Sequence, residues 1–585
     1  MLGQVLAGSA VYAYPRMSES LNTSPNQARR SGYHQQMTLW QRLLPFLQWP
    51  RPDAALLRGE LLAGLTVALV MVPQAVAYAA LAGMPLVTGL YAALLPALVG
   101  VLFSASTRLS VGPAALSCLL ITASLAGLAE PGSAQWVNLA VWLALLSGSL
   151  QLVLGLGGFG WLLNLISAPV LTGFTQAASL LIIASQLPAW LGLRGNLSSL
   201  WNQPAVDMRA LAFGLASLAL LVVARRWLPK LPVIMLVVAG AAAVSWALGF
   251  ANHGGSVIGN LAAGLPRLYW PSLLPMDTLS QLVVPAMVIA LVSFLETASS
   301  ARVENQRSSK RWNENQDLIG QGLAKIASAL CGSFATSTSL SRSALFLYAG
   351  ARTGWAAVLM VLCVLLALLF LTPALYHVPR AVLAAVVVAA VMGLVQPRAF
   401  VRLWQVSRIE AITALVTFAV TLLTAPRIYW GVLAGVLMGL SHFLYERLHP
   451  RIIEVGLHGD GSLRDRHLWK LPPLADHLYA LRMDAELDFA AASAFERAIT
   501  EHLAAHPGVR HVCLFTQPIN RIDATGVEVF GQLRKQLTER GITLHISGMK
   551  LPVETALLRA GELTPGPLLK TYRTDAEALA GLRNV

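Results

Sequence analysis

Two charged side chains lie in stretches that are otherwise apolar, and each could take part in carrying an ion. Glu296 lies within the apolar run 284–297. A carboxylate at the depth of a bilayer costs at least a few kcal/mol unless it is paired, hydrated or protonated. Glu296 is therefore a candidate proton carrier, and the alternative is a structural carboxyl group that bridges two helices.

Arg342 supplies the opposite charge at the start of a short apolar stretch. It lies in Ser337-Thr338-Ser339-Leu340-Ser341-Arg342-Ser343. A helix of about twelve residues spans about 18 Å, little more than half of a hydrocarbon core. Such a half-helix would begin near the midplane, where its N–H groups, the serine hydroxyls and Arg342 form a cradle for an anion. The alternative is an arginine that snorkels to the interface.

A matching feature occurs in the first half of the chain. The sequence Val111-Gly112-Pro113-Ala114-Ala115 opens another short apolar helix after the strand-like segment 107–111. Glycine permits close approach of the backbone, and proline suits the first turn of a helix. Two interrupted helices at corresponding places in two halves are typical of the binding site of a transporter.

Polar residues also interrupt two further apolar spans. Gln74 and Tyr78 follow Pro73 in the first span and, four residues apart, share one helix face. They either line a site or bind backbone groups that Pro73 frees. Lys325 lies within the apolar segment 318–330, where it either pairs with a carboxylate or snorkels.

The composition shows what kind of protein holds these residues. Of the 585 residues, 56% are hydrophobic and only 12% charged, with a mean hydropathy of +0.62. A soluble globular chain carries about 25% charged residues. These values exclude a disordered chain, a nucleic-acid-binding domain and an ordinary cytosolic enzyme. They predict a polytopic α-helical membrane protein.

The net charge of +14 belongs to the apolar part of the chain. Residues 459–585 hold 15 acidic and 15 basic side chains, so the excess lies in residues 1–458. About fourteen apolar runs between 59 and 449 put both termini on one side, and the loops on that side hold most of the lysine and arginine residues. The positive-inside rule then predicts a multi-pass protein of a bacterial inner (plasma) membrane with cytoplasmic N- and C-termini.

Changes in composition along the chain divide it into three regions. Residues 1–38 are polar and predict a flexible tail, 39–450 form the membrane domain, and 451–585 hold a linker and a smaller domain. Strands alternate with helices in that last region, which predicts an α/β fold. No cysteine–histidine spacing for a metal and no nucleotide-binding Gly-Lys loop occurs, so we expect no cofactor and no metal.

Several motifs together resemble the SulP anion transporters, the sulfate permeases whose animal members form solute carrier family 26. The first motif runs from Ala63-Gly64-Leu65-Thr66-Val67 through Val72-Pro73-Gln74-Ala75-Val76-Ala77-Tyr78-Ala79 to Gly89-Leu90-Tyr91. The others are Val111-Gly112-Pro113, Phe294-Leu295-Glu296, Asn315-Gln316-Asp317-Leu318-Ile319-Gly320-Gln321-Gly322, Ser339-Leu340-Ser341-Arg342-Ser343 and Gly350-Ala351-Arg352-Thr353. The C-terminal region resembles the STAS domain that usually follows this transporter.

This resemblance implies about fourteen spans in a seven-plus-seven inverted repeat, with core and gate domains, short β segments before spans 3 and 10, and a cytoplasmic α/β STAS domain. The substrate would lie between the N-termini of spans 3 and 10. The implied substrate-binding residues are Gln74, Tyr78, Gly112, Pro113, Ala114, Ser339, Ser341 and Arg342. Glu296 would carry the coupling proton, although Glu296-Thr297 keeps a sodium site open. Lys325 departs from the small or neutral polar residue that the family more often has.

The implied activity is secondary transport, most simply proton-coupled sulfate uptake by an elevator mechanism in a homodimer, and not an enzyme reaction. Bicarbonate, C4-dicarboxylates, chloride and nitrate remain open as substrates, as do sodium coupling, uncoupled exchange or a channel, and a signalling role. Besides the anion, the coupling ion and the lipid bilayer, a cytoplasmic protein that binds the STAS domain is an expected partner, whereas nucleic acid is not. Thr525, in Asp523-Ala524-Thr525-Gly526, is either a regulatory phosphorylation site or a hydroxyl that serves as a helix N-cap or in a turn.

Overall fold

The computed structural model describes residues 44–165, 167–193, 206–227, 232–262, 264–308 and 312–582. The predicted flexible tail, residues 1–38, lies outside the described residues. The first described element is a 3₁₀ turn, Pro45–Gln48.

The membrane part is a succession of helices. Their bounds are α1 Ala54–Leu81, α2 Leu86–Ala92, α3 Leu95–Phe103, α4 Ala115–Leu125, α5 Ala134–Leu156, α6 Ala168–Trp190, α7 Met208–Trp227, α8 Val233–Ala247, α9 Met276–Ser308, α10 Glu314–Leu330, α11 Leu340–Tyr348, α12 Trp355–Leu366, α13 Arg380–Met392, α14 Arg398–Val406, α15 Arg408–Leu423 and α16 Tyr429–Leu448. Shorter 3₁₀ and π turns cover Phe159–Leu165 and Ala367–Leu375.

These helices confirm the predicted polytopic helical fold. Among the described residues, six stretches are long and apolar enough to cross a bilayer. They are Ala54–Leu81, Leu86–Phe103, Ala134–Leu156, Ala168–Trp190, Met276–Asn305 and Trp355–Leu375. The total of about fourteen spans stays a prediction, because several of the remaining helices are shorter than a full span.

The helices pack in two groups. One, which we call the core group, comprises α1–α5 and α9–α12; the other, the gate group, comprises α6–α8, α13, α15 and α16. Glycines allow the closest approaches within a group: a Cβ on Gly322 of α10 would lie 2.7 Å from the carbonyl oxygen of Gly148 on α5. Helix α13 of the gate group packs across onto α1 of the core group.

A two-stranded ladder at the centre of the core group joins the two halves of the chain. Strand β1 is Val111–Gly112 and β2 is Ser337–Thr338, and they pair antiparallel with Val111 opposite Thr338 and Gly112 opposite Ser337. Each strand leads into a short helix, α4 after β1 and α11 after β2. The predicted β segments before two half-helices are therefore confirmed.

The C-terminal region forms a six-stranded sheet in the order β4-β3-β5-β6-β7-β8. The strands are β3 Ile452–Leu457, β4 Leu463–Asp465, β5 Leu478–Met483, β6 His511–Phe515, β7 Thr543–Ser547 and β8 Leu569–Tyr572. The helices are α17 Arg466–Trp469, α18 Ala492–Ala505, α19 Ala524–Glu539, α20 Leu551–Arg559 and α21 Asp575–Leu582. Strands β5–β8 run parallel, as expected for strands that alternate with helices. The predicted α/β fold is confirmed.

Two histidines lie side by side on neighbouring strands of this sheet. His545 on β7 is fully buried, with its ring nitrogens 3.2 Å from His511 Nδ1 and 3.1 Å from the Tyr572 hydroxyl. Burial, followed by the nearby positive charges of His511 and Lys570, lowers the pKa of His545 to about 4. His545 is thus neutral at physiological pH.

Candidate functional site

Arg342 is the residue around which the site is built. Its side chain is only 1% exposed, although it lies in the first turn of α11. The guanidinium donates to Ser110 Oγ at 3.1 Å, to Gln74 Oε1 at 3.2 Å and to the Pro113 carbonyl oxygen at 2.8 Å. A snorkelling arginine would reach water instead, so this predicted alternative is wrong. Arg342 links α11 to α1 and to both sides of β1.

Two serines complete the start of α11. Ser339 caps the helix, and its hydroxyl accepts from the Arg342 backbone N–H at 3.5 Å. Its oxygen also lies 3.2 Å from the hydroxyl of Ser341, which is exposed. The backbone N–H of Ser339 donates to the Ser110 carbonyl at 3.0 Å. Hydroxyl groups and the positive end of the helix dipole therefore face the same small region as Arg342.

Gly112, Pro113 and Ala114 approach this region from the first half of the chain. Gly112 has φ of +155°, and a Cβ there would lie 2.8 Å from Met71 Cε and 3.8 Å from Arg342 Nη2. Ala114 precedes α4 as its N-cap residue without a capping side chain. The N-terminal N–H groups of α4 consequently remain available to a ligand.

Gln74 and Tyr78 lie on α1, which contains Pro73 in its interior. Gln74 is 3% exposed and accepts the bond from Arg342, so it orients the guanidinium. Tyr78 is buried one turn further along and lies within electrostatic range of Arg342 and Glu296. The structure thus brings the predicted residues of α1, β1 and α11 together.

Glu296 lies on α9 beside the same ladder. The residue is partly buried, and its carboxylate accepts a hydrogen bond from the hydroxyl of Ser337 on β2. The next residue, Thr297, is fully buried, and its hydroxyl lies 2.9 Å from that of Thr338. Because Ser337 pairs with Gly112 across the ladder, the carboxylate and the anion cradle share one structural element.

Lys325 adopts neither of the two predicted arrangements. It is fully buried on α10, and its ammonium donates to Gln151 Oε1 of α5 at 2.8 Å. Its described partner is therefore a neutral amide and not a carboxylate.

Sequence reasoning missed three buried carboxylates that support the site. Glu304 and Asp317 hold the segment before β1: Glu304 pairs with Arg108 at 3.1 Å, and Asp317 accepts from the backbone and hydroxyl of Ser106 at 2.9 and 2.7 Å. Glu60 on α1 holds the segment after α11, accepting from three donors of Arg352 and Thr353 at 2.9–3.0 Å. In the sequence, the motifs that contain Asp317 and Thr353 could have indicated that these segments make specific contacts.

A cavity lies between the two helix groups. It has a volume of about 960 Å³ and is lined by residues of α1, α6 and α13, among them Ala77, Gln186 and Ala384. Arg380, at the start of α13, is the one charged residue in its described lining. None of the site residues described above lines this cavity, which meets α1 at Ala77.

Thr525 lies far from these residues, in the second position of α19. The helix cap is Asp523, whose carboxylate accepts from the Gly526 N–H at 2.8 Å, so the capping alternative for Thr525 is wrong. Thr525 itself is exposed. Among the described residues, no group of three or more histidine, cysteine, aspartate or glutamate side chains could hold a metal ion.

Comparisons with known proteins identify both the membrane part and the C-terminal domain. The model of the sulfate permease family matches residues 57–417, and that of the STAS domain matches residues 473–578. A probable sulfate transporter of Mycobacterium tuberculosis is 32% identical over 517 residues, covering 87% of this chain and 92% of that protein. Probable sulfate transporter 4.2 of Arabidopsis thaliana is 31% identical over 529 residues, covering 86% of this chain and 77% of that protein. The sodium-independent sulfate anion transporter of Bos taurus is 28% identical over 563 residues, covering 89% and 88%.

Solved structures agree on the fold. Murine solute carrier 26 family member A9, an anion transporter solved in the inward-facing state, superposes with a TM-score of 0.83 at 19% identity, covering 98% of this chain and 100% of that chain. The transmembrane domain of the cyanobacterial bicarbonate transporter BicA gives 0.57 at 21% identity, covering 67% and 99%. The extent of the family match and the identity to its members show that this chain belongs to the sulfate permease family of anion transporters and carries a C-terminal STAS domain.

Proposed function

We propose that this chain is a secondary active transporter that takes up sulfate together with protons. The observation that carries this proposal is the sharing of β2 between two groups: Ser337 binds the Glu296 carboxylate, while the residues after it begin the cradle around Arg342. A proton on Glu296 and an anion in the cradle would then lie only a few residues apart, so that each would change the binding affinity of the other.

Charge explains why the two ligands would bind together. An ionised Glu296 repels an anion held by Arg342, whereas a protonated Glu296 does not. In a water-poor site this repulsion is strong, so protonation favours anion binding and anion binding favours protonation, as linkage requires. The ends of α4 and α11 add two helix dipoles with their positive ends towards the anion.

The proposed transport step is an elevator-type movement. The core group, which holds Arg342 and Glu296, would move as a unit against the gate group, since close glycine contacts tie its helices together. The cavity between the two groups, with Ala77 on one wall and Ala384 on the other, supports access from one side in the present arrangement. The relatives named as sulfate transporters favour sulfate, and the sodium-independent bovine relative favours protons over sodium.

The proposal also covers the membrane, the orientation of the termini, the oligomeric state and the role of the STAS domain. We place the protein in a bacterial inner (plasma) membrane with both termini in the cytoplasm, which agrees with its basic loops. We also propose a homodimer, and a STAS domain that receives a cytoplasmic protein or a phosphate on the exposed Thr525. Among the described contacts, Arg447 of α16 pairs with Glu486 and Asp488 at 3.3 and 3.5 Å, which supports communication between the two domains.

The test is uptake of labelled sulfate into proteoliposomes that contain the purified full-length protein. An inward proton gradient should accelerate uptake, an uncoupler should abolish the acceleration, and replacing sodium by potassium should have no effect. Unlabelled bicarbonate, fumarate, chloride and nitrate serve as competitors. Sulfate uptake that ignores the proton gradient but follows a sodium gradient would contradict proton coupling. Absence of sulfate uptake, together with transport of a competitor, would contradict the substrate.

A further inference from the structure

Lys325 is a buried charge that the proposed function does not use. It is fully buried, and among the described residues no carboxylate forms an ion pair with it. Its acceptor is the Gln151 amide oxygen at 2.8 Å. Burying an ammonium group with a neutral partner costs free energy. The charged groups nearby offer a reason why a lysine is nevertheless present.

Polar groups line the space between Lys325 and Glu296, although they do not form one continuous chain of hydrogen bonds. Gln151 accepts from Lys325 and donates through Nε2 to Ser293 Oγ at 2.9 Å. The Ser337 hydroxyl lies 3.4 Å from the Ser293 carbonyl oxygen and donates to the Glu296 carboxylate. Lys325 and Glu296 therefore lie at the two ends of one polar path through α10, α5, α9 and β2. They are also close enough to interact electrostatically.

Other ionisable groups around Glu296 are few. Tyr78 of α1, Cys118 of α4 and Arg342 of α11 interact with it, besides Lys325 of α10. Helix α5, which also packs on α9, carries no ionisable side chain between Ala134 and Leu156. Of the remaining described neighbours of α9, the 3₁₀ turn Phe159–Leu165 carries no ionisable side chain. Helix α16 carries His442, paired with Glu446 of its own helix, and Arg447, paired with Glu486 and Asp488. The charged groups of the site are thus two cations, Arg342 and Lys325, and one carboxylate.

We propose that Lys325 is the fixed counter-charge of Glu296 and thereby makes the site selective for doubly charged anions. With Glu296 ionised, Lys325 balances it, and Arg342 alone is left to face the anion. With Glu296 protonated, the charge of Lys325 is no longer balanced, and two positive charges match a dianion such as sulfate or a dicarboxylate. A neutral residue at this position would leave one charge, which suits bicarbonate, chloride or nitrate. This inference rests on the proposed function, because it requires an anion at Arg342 and a proton on Glu296.

The experiment compares inhibition of sulfate uptake by dianions and monoanions in proteoliposomes with an inward proton gradient. The dianions are fumarate and thiosulfate, and the monoanions are bicarbonate and nitrate. Lys325→Met removes the charge. Gln151→Glu cancels the charge of Lys325 by placing a carboxylate where the Gln151 amide lies. This variant remains informative if Lys325→Met fails to fold. Lys325→Arg keeps the charge, and Lys535→Met, on the exposed face of α19, is the matched control.

The wild-type protein should be inhibited more strongly by the dianions. Both charge-lowering variants should reduce the ratio of dianion to monoanion affinity about tenfold, which is the effect of one unit charge across about 10 Å at an effective dielectric constant near 20. Lys325→Arg and Lys535→Met should keep the wild-type ratio. A merely structural lysine would lower total uptake without changing this ratio.

Two results overturn the inference. One is a wild-type protein with no preference for dianions; the other is a folded Lys325→Met or Gln151→Glu protein with the wild-type ratio. Failure of the proposed function is distinguishable from these results. If the wild-type protein shows no proton-stimulated uptake of any anion, the proposed function fails and this inference fails with it. If coupled uptake is present and the ratio does not respond to the variants, only the role of Lys325 is rejected.

Discussion

Replacing Arg342 by lysine keeps the positive charge of the site but removes the geometry that holds it together. The guanidinium donates to Gln74, Ser110 and Pro113, which belong to α1 and to the two ends of β1. A lysine ammonium is a single point on a flexible chain and can reach one of these acceptors. The substitution therefore separates the effect of charge from the effect of organisation.

The expected loss follows from the number of bonds. A hydrogen bond from a charged donor contributes about 1.5–3 kcal/mol, so losing two of the three removes about 3 kcal/mol from the assembled site. The anion binds only when the ends of α4 and α11 are held together. In the variant, most of the lost energy must therefore come from the binding of the anion, which weakens its affinity. That corresponds to about a hundredfold weaker sulfate affinity. Arg342→Ala, which also removes the charge, should abolish measurable binding.

Equilibrium binding of labelled sulfate to the purified protein at acidic pH measures this directly. Arg352→Lys is the matched control, because its side chain is exposed and only its backbone N–H, at 3.0 Å, binds Glu60. Thermal unfolding of each variant checks that the fold is retained. A folded Arg342→Lys protein with wild-type affinity would refute the organising role, and unchanged affinity in Arg342→Ala would remove Arg342 from the site altogether.

Three further predictions test the surroundings of the site and the STAS domain. Gly112→Ala should raise the KM for sulfate, because its Cβ would lie 2.8 Å from Met71 Cε and because φ of +155° strains a residue that has a side chain, so adding Met71→Ala should reverse the rise only in part; an unchanged KM in the single variant would contradict this. Asp317→Asn should lower the stability of the full chain by about 2 kcal/mol, because the amide cannot accept both bonds from Ser106; calorimetry that finds a wild-type unfolding midpoint would contradict it. The pKa of His545 is about 4 in the folded protein, so the unfolded chain binds the proton more readily. Stability should therefore fall as pH drops from about 6.5 towards 4, and His545→Gln should flatten this dependence in calorimetry of the full chain; an equal slope in both proteins would count against it.

Local rules explain why the two half-helices could be predicted. Glycine and proline in 112–113 and the serines before Arg342 act within a few residues, so the sequence alone indicates where each half-helix starts, whereas the strand before the second half-helix was implied by the resemblance. The same holds for the parallel strands of the STAS domain, where the alternation of Leu544 and Ile546 with polar residues in 543–547 matches the observed β7. These elements are confirmed close to their predicted positions.

Contacts between distant parts of the chain could not be predicted in this way. Glu60 and Thr353 lie 293 positions apart, and no residue near Glu60 in the sequence indicates this partner. Whether Lys325 would meet a carboxylate depended on which residue of α5 faced it, and that residue is Gln151. Such pairings follow from tertiary packing, on which a hydrophobic pattern carries no information.

Helix α14 illustrates a different difficulty. Residues 398–406 carry Arg398 and Arg402 together with an exposed Trp404, and in sequence they resemble a basic loop between two spans. They form a helix with one apolar and one basic side, a pattern typical of helices at a membrane interface. Short amphipathic segments of this kind lack the continuous apolar run by which spans are recognised.

In the proposed mechanism, Glu296 carries the proton that drives anion uptake. The most direct measurement is the pH dependence of sulfate uptake in proteoliposomes containing the wild-type protein or Glu296→Gln, with Glu446→Gln, an exposed carboxylate, as control. We expect wild-type and Glu446→Gln uptake to rise as the outside pH falls, and Glu296→Gln uptake to be independent of pH and of the proton gradient. Full pH dependence in a folded Glu296→Gln protein would contradict the account.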